Sequence, residues 1–293
     1  MPALPPRTGA FVAIVLWGIS FVATKAALRE VSPVCLVFTR FGIGAAVLLG
    51  HLALRRSRMD LPPRTWARLA LMGFVGVFLH QMIQVHGLTL TSAVNTGWLI
   101  GLTPLWSAVL AAAMLGERFG PGKAAGLAIG FAGSLLIITR GRSLVEVMGW
   151  PATRGDLLVL ASTVTWALYT TMGHSTLKGI GSARATAGAM LAGWTMMAPF
   201  YLSSGGWREY GGLSAAAWVS ILFLGVGCSG LGYLLWYAAL EKVEASRVSA
   251  FLYIEPLVTC AAAAILLDEP LRPATLAGGL VVLAGVLISQ TSR

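Results

Sequence analysis

The chain has 293 residues, of which 57% are hydrophobic and 11% are charged, and its formal net charge is +10 at pH 7. A soluble globular protein normally carries about a quarter charged residues, so this composition excludes that class and predicts an integral membrane protein. The apolar stretches run for roughly 18 to 25 residues without the alternation of a membrane barrel, which predicts transmembrane helices.

Ten helical spans are predicted, because Gly and Pro residues punctuate the apolar stretches along the whole chain. In chain order the spans are 8–28, 33–54, 66–88, 92–115, 120–139, 156–177, 183–203, 214–240, 246–267 and 273–289. We expect spans one to five to form one unit within 1–140, a loop to connect the units at 141–154, and spans six to ten to form a second unit within 155–293.

Residues of the first half recur in the second half at a constant shift of 152 positions. The matching pairs are Trp66 and Trp218, Gly73 and Gly225, Pro104 and Pro256, Glu117 and Glu269, Pro121 and Pro273, Gly126 and Gly278, and Gly133 and Gly285. An odd number of spans per copy turns the second copy upside down in the membrane. The predicted fold class is therefore an all-α membrane protein with ten transmembrane helices in two inverted five-helix repeats. Secondary transporters of this architecture hold substrate at the repeat interface near mid-membrane.

Lysine and arginine accumulate in cytoplasmic loops, so their placement predicts the orientation of the spans. With the N-terminus inside, the inner segments contain Arg7, Arg55, Arg56, Arg58, Arg64, Arg68, Arg118, Lys123, Lys178, Arg184, Lys242, Arg247 and Arg293. The outer loops contain fewer, namely Arg29, Arg140, Arg142, Arg154, Arg208 and Arg272. We therefore expect both termini in the cytoplasm and anionic lipid as the partner of the 55–58 cluster. Nucleic acid is not an expected partner, because no basic soluble domain is present.

Several motifs in both halves carry a family resemblance that covers nearly the whole chain. They are Trp17-Gly18-Ile19-Ser20-Phe21 with Thr24-Lys25, Leu115-Gly116-Glu117 with Gly126 and Gly133, and Leu267-Asp268-Glu269-Pro270 with Gly278 and Gly285. This pattern resembles the EamA family of the drug/metabolite transporter superfamily, and within it most closely the YddG-type amino-acid exporters. The resemblance implies ten helices, inverted repeats and export of small metabolites across the bacterial cytoplasmic (inner) membrane. One departure is that His174 stands in the second half where Lys25 stands in the first.

Polar and aromatic side chains within the spans are candidate substrate contacts, because polar groups are costly in lipid and normally face the bundle interior. His80 and Gln84 share one helix face, as do Asn95 and Trp98. An aromatic-lined pocket with few polar groups suits amphipathic zwitterions or lipophilic cations. The predicted substrate-binding residues are Trp17, Ser20, Thr24, His80, Gln84, Asn95, Trp98, Trp166, Tyr169, Tyr233, Trp236 and Tyr237. For the mid-span tryptophans, packing inside the bundle is an equal alternative.

Glu255 is the most informative ionisable residue, because it lies deep in the ninth span and precedes Pro256. Its carboxyl is expected either to couple protons or to form a charge pair with Lys25 or Arg40, and the sequence leaves both alternatives open. Glu117 and Glu269 are expected to cap the helix that follows each of them.

The sequence thus predicts a transporter of small amphipathic molecules, most plainly aromatic or neutral amino acids. The alternatives are a lipophilic-cation or multidrug exporter, a sugar-nucleotide carrier, and a membrane-embedded lipid-modifying enzyme. Enzymatic activity is not expected, because HExxH, GxSxG, CxxC and paired-Asp motifs are absent from the sequence. No metal or cofactor is expected either, and Cys35, Cys228 and Cys260 read as packing residues. Whether the protein is a monomer or a homodimer stays open.

Overall fold

A computed structural model describes residues 5–116, 119–242 and 250–291. Within these ranges the secondary structure is helical, and no strand occurs. The helices are α1 (Pro6–Ala27), α2 (Pro33–Leu54), α3 (Pro63–Leu90), α4 (Ala93–Ile100), α5 (Thr103–Leu115), α6 (Pro121–Thr139), α7 (Leu144–Val147), α8 (Pro151–Ile180), α9 (Ser182–Ser204), α10 (Ala215–Leu222, Phe223–Gly232 and Tyr233–Lys242 in succession), α11 (Glu255–Leu266) and α12 (Pro273–Thr291). Glu117 and the predicted start of the ninth span at residue 246 lie outside the described residues.

The described part of the chain has 7 helical segments that are long and apolar enough to cross a membrane. They are Pro6–Ala27, Pro33–Leu54, Pro63–Leu90, Ala93–Met114, Pro121–Thr139, Ala215–Ala239 and Pro273–Thr291, and a shorter apolar helix covers Phe251–Leu266. The predicted spans 156–177 and 183–203 lie in α8 and α9, which are 30 and 23 residues long but more polar. The protein is therefore a multi-pass membrane protein, and its described part is all-helical.

Helix starts follow local sequence signals. Pro occupies the first turn of α1, α2, α3, α5, α6 and α11, where its missing N–H costs nothing. The hydroxyls of Ser32, Ser92 and Ser214 cap α2, α4 and α10 by accepting a backbone N–H three residues further on.

Three carboxylates cap helix N-termini from distant loops. Glu209 accepts hydrogen bonds from Ser32 N and Oγ at 2.6 and 2.7 Å, and Glu30 accepts from Ser214 N and Oγ at 2.8 and 2.6 Å. The bonds from Ser214 lower the pKa of Glu30 below its ordinary value. Glu269 accepts from the backbone N–H groups at the start of α4, 3.0 Å from each. Glu269 is thus a helix cap, but of α4 rather than of α12, the helix that follows it.

Two helices begin with a similar local sequence at positions that lie 152 residues apart. Gly101 and Leu102 separate α4 from α5, which begins at Thr103-Pro104. A 3₁₀ turn, Ala250–Ile254, precedes α11, which begins at Glu255-Pro256. In both helices proline occupies the second position, where it lacks the backbone N–H donor of other residues.

The helix contacts of the two halves mirror one another. α1 packs against α10 and α11, while α8 packs against α3, α4 and α5. α6 and α12 pack together through glycines, since a Cβ on Gly133 would lie 2.6 Å from the carbonyl oxygen of Gly278, and one on Gly278 would lie 2.8 Å from that of Gly133. Small residues at such positions let membrane helices approach closely without side chains between them.

Candidate functional site

A central cavity lies where the starts of α5 and α11 meet helices α1, α2, α3, α8 and α10. It contains about 710 Å³ of empty space, part of which is open to the outside. Its walls are formed by Trp17, Ser20, Phe21, Arg40, His80, Gln81, Gln84, Ile100, Gly101, Thr103, Pro104, Trp166, Tyr233, Leu252, Tyr253 and Glu255. Helices α5 and α11 thus begin at the cavity, with the positive ends of their dipoles toward it.

Aromatic rings form one wall of the cavity. The ring centroids of Trp17 lie 5.9 Å from Trp166 and 5.5 Å from Tyr233, and those of Trp166 and Tyr233 lie 5.9 Å apart, all in edge-to-face arrangements. His80 adds a ring 5.2 Å from Trp166. Mutual edge-to-face packing fixes the rings, so this wall presents a rigid apolar surface to a bound molecule.

The Trp17 ring is fixed by a π-helical segment of α10, Phe223–Gly232. Its Nε1 donates to the carbonyl oxygen of Cys228 at 3.1 Å. A Cβ on Gly232 would lie 2.9 Å from the same nitrogen, so only glycine leaves room for the indole there. A second π-helical segment, Phe74–Leu79, precedes His80 in α3. π-Helical turns inside α-helices occur frequently at functional sites.

Two oppositely charged side chains line the cavity without pairing. Arg40, only 5% exposed, donates from Nε to Ser229 Oγ at 3.2 Å, and its guanidinium lies 5.0 Å from the Phe41 ring centroid. Glu255 is only 6% exposed, and no hydrogen bond or ion pair joins its carboxyl to any described residue. The expected charge pair of Glu255 with Arg40 or Lys25 is therefore not formed in this conformation.

Three of the uncharged polar residues of the cavity come from α3. His80 Nδ1 donates to the Ser162 carbonyl oxygen at 2.9 Å, because a carbonyl can only accept. Gln81 and Gln84 lie in the same wall as His80. The Gln81 Oε1 and Tyr253 Oη atoms are buried without a hydrogen-bond partner among the described residues. Such groups normally bind a protein atom, water or ligand.

Six of the predicted substrate-binding residues pack between helices in this structure and do not line the cavity, so their role in binding stays a prediction. Trp98 is 2% exposed and lies against Gly279 of α12. Tyr169 lies against Gly76 and Tyr237, and Trp236 lies behind Trp17 with centroids 5.4 Å apart. Tyr169, Trp236 and Tyr237 each contact an aromatic ring of the cavity wall. The six residues are Thr24, Asn95, Trp98, Tyr169, Trp236 and Tyr237.

Asn95 belongs to a buried polar cluster, which we call the Asp156 network. Asp156 accepts from Arg140 Nη2 at 2.7 Å, from Asn95 Nδ2 at 3.2 Å and from the Thr91 hydroxyl. Thr275 donates to Asn95 Oδ1 at 3.3 Å. The network thus ties the end of α6 and the start of α8 to α4 and α12.

Lys25 lies beside this network and not in the cavity. Its Nζ donates to the carbonyl oxygen of Leu88 at 3.1 Å and to that of Thr91. These carbonyls end α3, where a cation complements the negative end of the helix dipole. Lys25 is therefore a helix cap in this structure. The His174 side chain, its counterpart in the repeat, lies outside the described residues.

Sequence reasoning gave no functional role to Phe21, Thr103, Leu252, Tyr253, Ser229 or Asp156. A buried carboxylate within a predicted span was a sufficient signal for Asp156. The proline pair at Pro104 and Pro256 was a signal for the cavity wall, because interrupted spans at matching positions commonly mark a binding site. Tyr253 carried no signal, since Tyr is also common at membrane interfaces.

An all-helical membrane bundle with a central cavity is the class of protein defined by this fold and site. The model of the EamA-like transporter family matches residues 8–139 and again residues 153–291. The chain belongs to the EamA-like transporter family.

Curated relatives agree with this assignment over nearly their whole lengths. An uncharacterized transporter of Archaeoglobus fulgidus is 34% identical over 96% of both chains, and the uncharacterized transporter YvbV of Bacillus subtilis is 30% identical over 99% of this chain and 94% of its own. A probable terminal-alkyne amino-acid exporter of Streptantibioticus cattleyicolor is 27% identical over 94% of this chain and 90% of its own. A chain of known crystal structure has the same fold, with a TM-score of 0.70 at 22% identity, over 97% of this chain and 95% of that chain.

Proposed function

We propose that this protein is a secondary transporter of the bacterial cytoplasmic (inner) membrane that exports small amphipathic metabolites, specifically aromatic or neutral amino acids. The observation that carries the proposal is the central cavity, which joins an aromatic wall to polar side chains that include Arg40 and Glu255. No covalent chemistry is required of such a cavity. The name of the Streptantibioticus relative, a probable amino-acid exporter, supports the same substrate class.

We propose further that ten transmembrane helices form two inverted five-helix repeats, 1–140 and 155–293, which rock about the cavity in alternating access. The similar helix contacts of the two halves and the matching helix starts at Pro104 and Pro256 support this arrangement. Both termini are cytoplasmic in this topology. The Asp156 network and the Lys25 cap then lie at the external end of the bundle.

A lipophilic-cation exporter is the second candidate. Glu255 favours it, because a buried carboxyl without an ionic partner beside aromatic rings attracts an apolar cation. Arg40 opposes it, because a guanidinium in the same cavity repels a cation.

Transport by purified protein in liposomes separates the two candidates. The test compares efflux of labelled phenylalanine, leucine and tetraphenylphosphonium, with and without a pH gradient. Efflux of the amino acids supports the proposal. Efflux of tetraphenylphosphonium alone would show a lipophilic-cation exporter instead. Efflux of none of the three compounds would reject both functions.

A further inference from the structure

The central cavity is lined by one guanidinium, that of Arg40, and one carboxyl, that of Glu255, and the two do not pair. Arg40 projects from α2 and, among the described residues, donates a hydrogen bond only to the Ser229 hydroxyl, while Glu255 begins α11 in the second half of the chain. Both side chains are more than nine-tenths buried, and neither has an ionic partner among the described residues. Burying a charge is costly unless a partner compensates it. A protein that only needed structural charges here would be expected to pair them.

Two further groups in the same cavity need hydrogen-bond partners. Gln81 is 5% exposed, and its Oε1 is buried without a donor in the described part of the chain. The Tyr253 hydroxyl, two residues before Glu255, is buried in the same condition. These neutral groups are independent of the two charges, and they also point to a polar ligand within the cavity.

Resting on the proposed function, we infer that the cavity recognises both charged ends of a zwitterionic amino acid: Arg40 binds the carboxylate, Glu255 binds the ammonium, and the aromatic wall holds an apolar side chain. A guanidinium matches a carboxylate through two parallel N–H donors. An ammonium group has three N–H donors, and the Glu255 carboxylate and the Oε1 of Gln81 can accept hydrogen bonds from them. Trp17 and Trp166 supply the apolar surface.

This arrangement selects against molecules with a single charge. An amine without a carboxylate leaves the Arg40 guanidinium without a partner and adds a second positive charge to the cavity. An acid without an amine leaves the Glu255 carboxylate without a partner and adds a second negative charge. Sites built to bind a substrate group reject analogues that lack it, because their own buried groups then stay unpaired. Specificity of this kind depends as much on repulsion of the wrong ligand as on attraction of the right one.

The first experiment uses the wild-type protein in liposomes and three ligands of the same ring size. These are L-phenylalanine, phenethylamine, which lacks the carboxylate, and 3-phenylpropionate, which lacks the amine. Each unlabelled compound competes with efflux of labelled phenylalanine. We expect phenylalanine to compete at least about tenfold better than either analogue, as loss of a charged hydrogen bond implies. Equal competition by all three would overturn the inference.

The second experiment assigns each end of the ligand to its residue. In Arg40→Gln we expect phenethylamine to gain at least about tenfold relative to phenylalanine, and in Glu255→Gln we expect 3-phenylpropionate to gain likewise. Arg40→Lys should keep the wild-type preference, since the positive charge stays. Arg154→Gln, at an exposed position of α8, is the matched control and should leave the profile unchanged.

The outcomes separate the inference from the proposed function. If no amino acid leaves the liposomes through the wild-type protein, the proposed function fails and the inference falls with it. If phenylalanine is transported but both Gln variants keep the wild-type order of the three compounds, the inference alone fails. If a Gln variant does not fold, competition by the three compounds at the wild-type protein still tests the inference. That series shows whether the protein recognises both charged groups of the ligand, one of them or neither.

Discussion

Arg140 and Asp156 form an ion pair between α6 and α8, with 2.7 Å between Nη2 and Oδ2. Their side chains are 10% and 0% exposed, so water screens the pair little. Asn95 and the Thr91 hydroxyl complete the coordination of the carboxylate. The pair therefore satisfies a buried charge and fastens the loop between the two matched family segments.

Breaking this pair should destabilise the protein. We expect Asp156→Asn to lower the free energy of unfolding by about 3 kcal/mol, because it leaves the Arg140 guanidinium without its partner. Thermal unfolding in detergent measures the change. Arg154→Gln, at an exposed position two residues away, should unfold within about 0.5 kcal/mol of wild type. Equal melting of Asp156→Asn and the control would contradict the role of the ion pair.

Glu255→Gln should behave differently from Asp156→Asn, although both remove a buried carboxylate. No cation among the described residues pairs with Glu255, so we expect its Gln variant to melt close to wild type. A strong loss of stability would instead support the structural charge pair.

The same Glu255→Gln protein tests proton coupling. We expect its efflux to lose its response to a pH gradient, because an amide cannot take up or release a proton. The other titratable side chains of the cavity are Arg40, His80, Tyr233 and Tyr253. His80→Gln therefore serves as the control, and it should keep the response of efflux to the gradient. Loss of the response in His80→Gln alone would assign coupling to the imidazole.

Trp98 and Trp166 should respond oppositely to truncation. Trp166 lines the cavity, so Trp166→Ala should reduce efflux at least about tenfold through lost contact with substrate. Trp98 packs against Gly279 away from the cavity, so Trp98→Ala should mainly reduce stability, by about 3 kcal/mol. Efflux rates normalised to folded protein, with melting curves for both variants, test the contrast. Normal efflux by Trp166→Ala would remove that residue from the substrate site.

Cysteine labelling tests the predicted orientation. The native cysteines Cys35, Cys228 and Cys260 are buried, so background reaction with an impermeant maleimide should be low. We expect Arg208→Cys to react from outside intact cells and Arg58→Cys to react only after permeabilisation. Both positions are exposed, so a difference between them reports the side of the membrane. Reaction of Arg58→Cys in intact cells would reverse the topology.

The α6–α12 contact should tolerate no added volume. We expect Gly133→Leu to separate the helices and lower the melting temperature, because even a Cβ at this position would lie 2.6 Å from the Gly278 carbonyl oxygen. Gly120→Leu is the control, since a Cβ on Gly120 meets no atom within 4 Å. A normal melting temperature for Gly133→Leu would show that the two helices do not pack as described.

Much of the cavity was predictable from the sequence. Mid-span Trp17, His80, Gln84, Trp166 and Tyr233 were predicted on chemical grounds and do lie in its wall. Their role in binding substrate stays a prediction. The same reasoning also selected Trp98, Tyr169 and Tyr237, which pack between helices. A membrane helix is apolar on all faces, so its hydrophobic pattern does not distinguish the face toward the cavity from the face toward a neighbour.

The sequence by itself determined that this protein lies in a membrane, that it is helical and which family it belongs to. These properties depend on composition, on the length of the apolar segments and on a repeated motif. Only the tertiary structure decided which polar groups meet. Asp156 pairs with Arg140, Lys25 ends on the carbonyls of α3, and Glu255 stays apart from Arg40. Each of these outcomes depends on how neighbouring helices are rotated and how deeply they are placed. Close packing between several helices sets the rotation and the depth of each helix. The spacing of residues along one helix does not determine either of them.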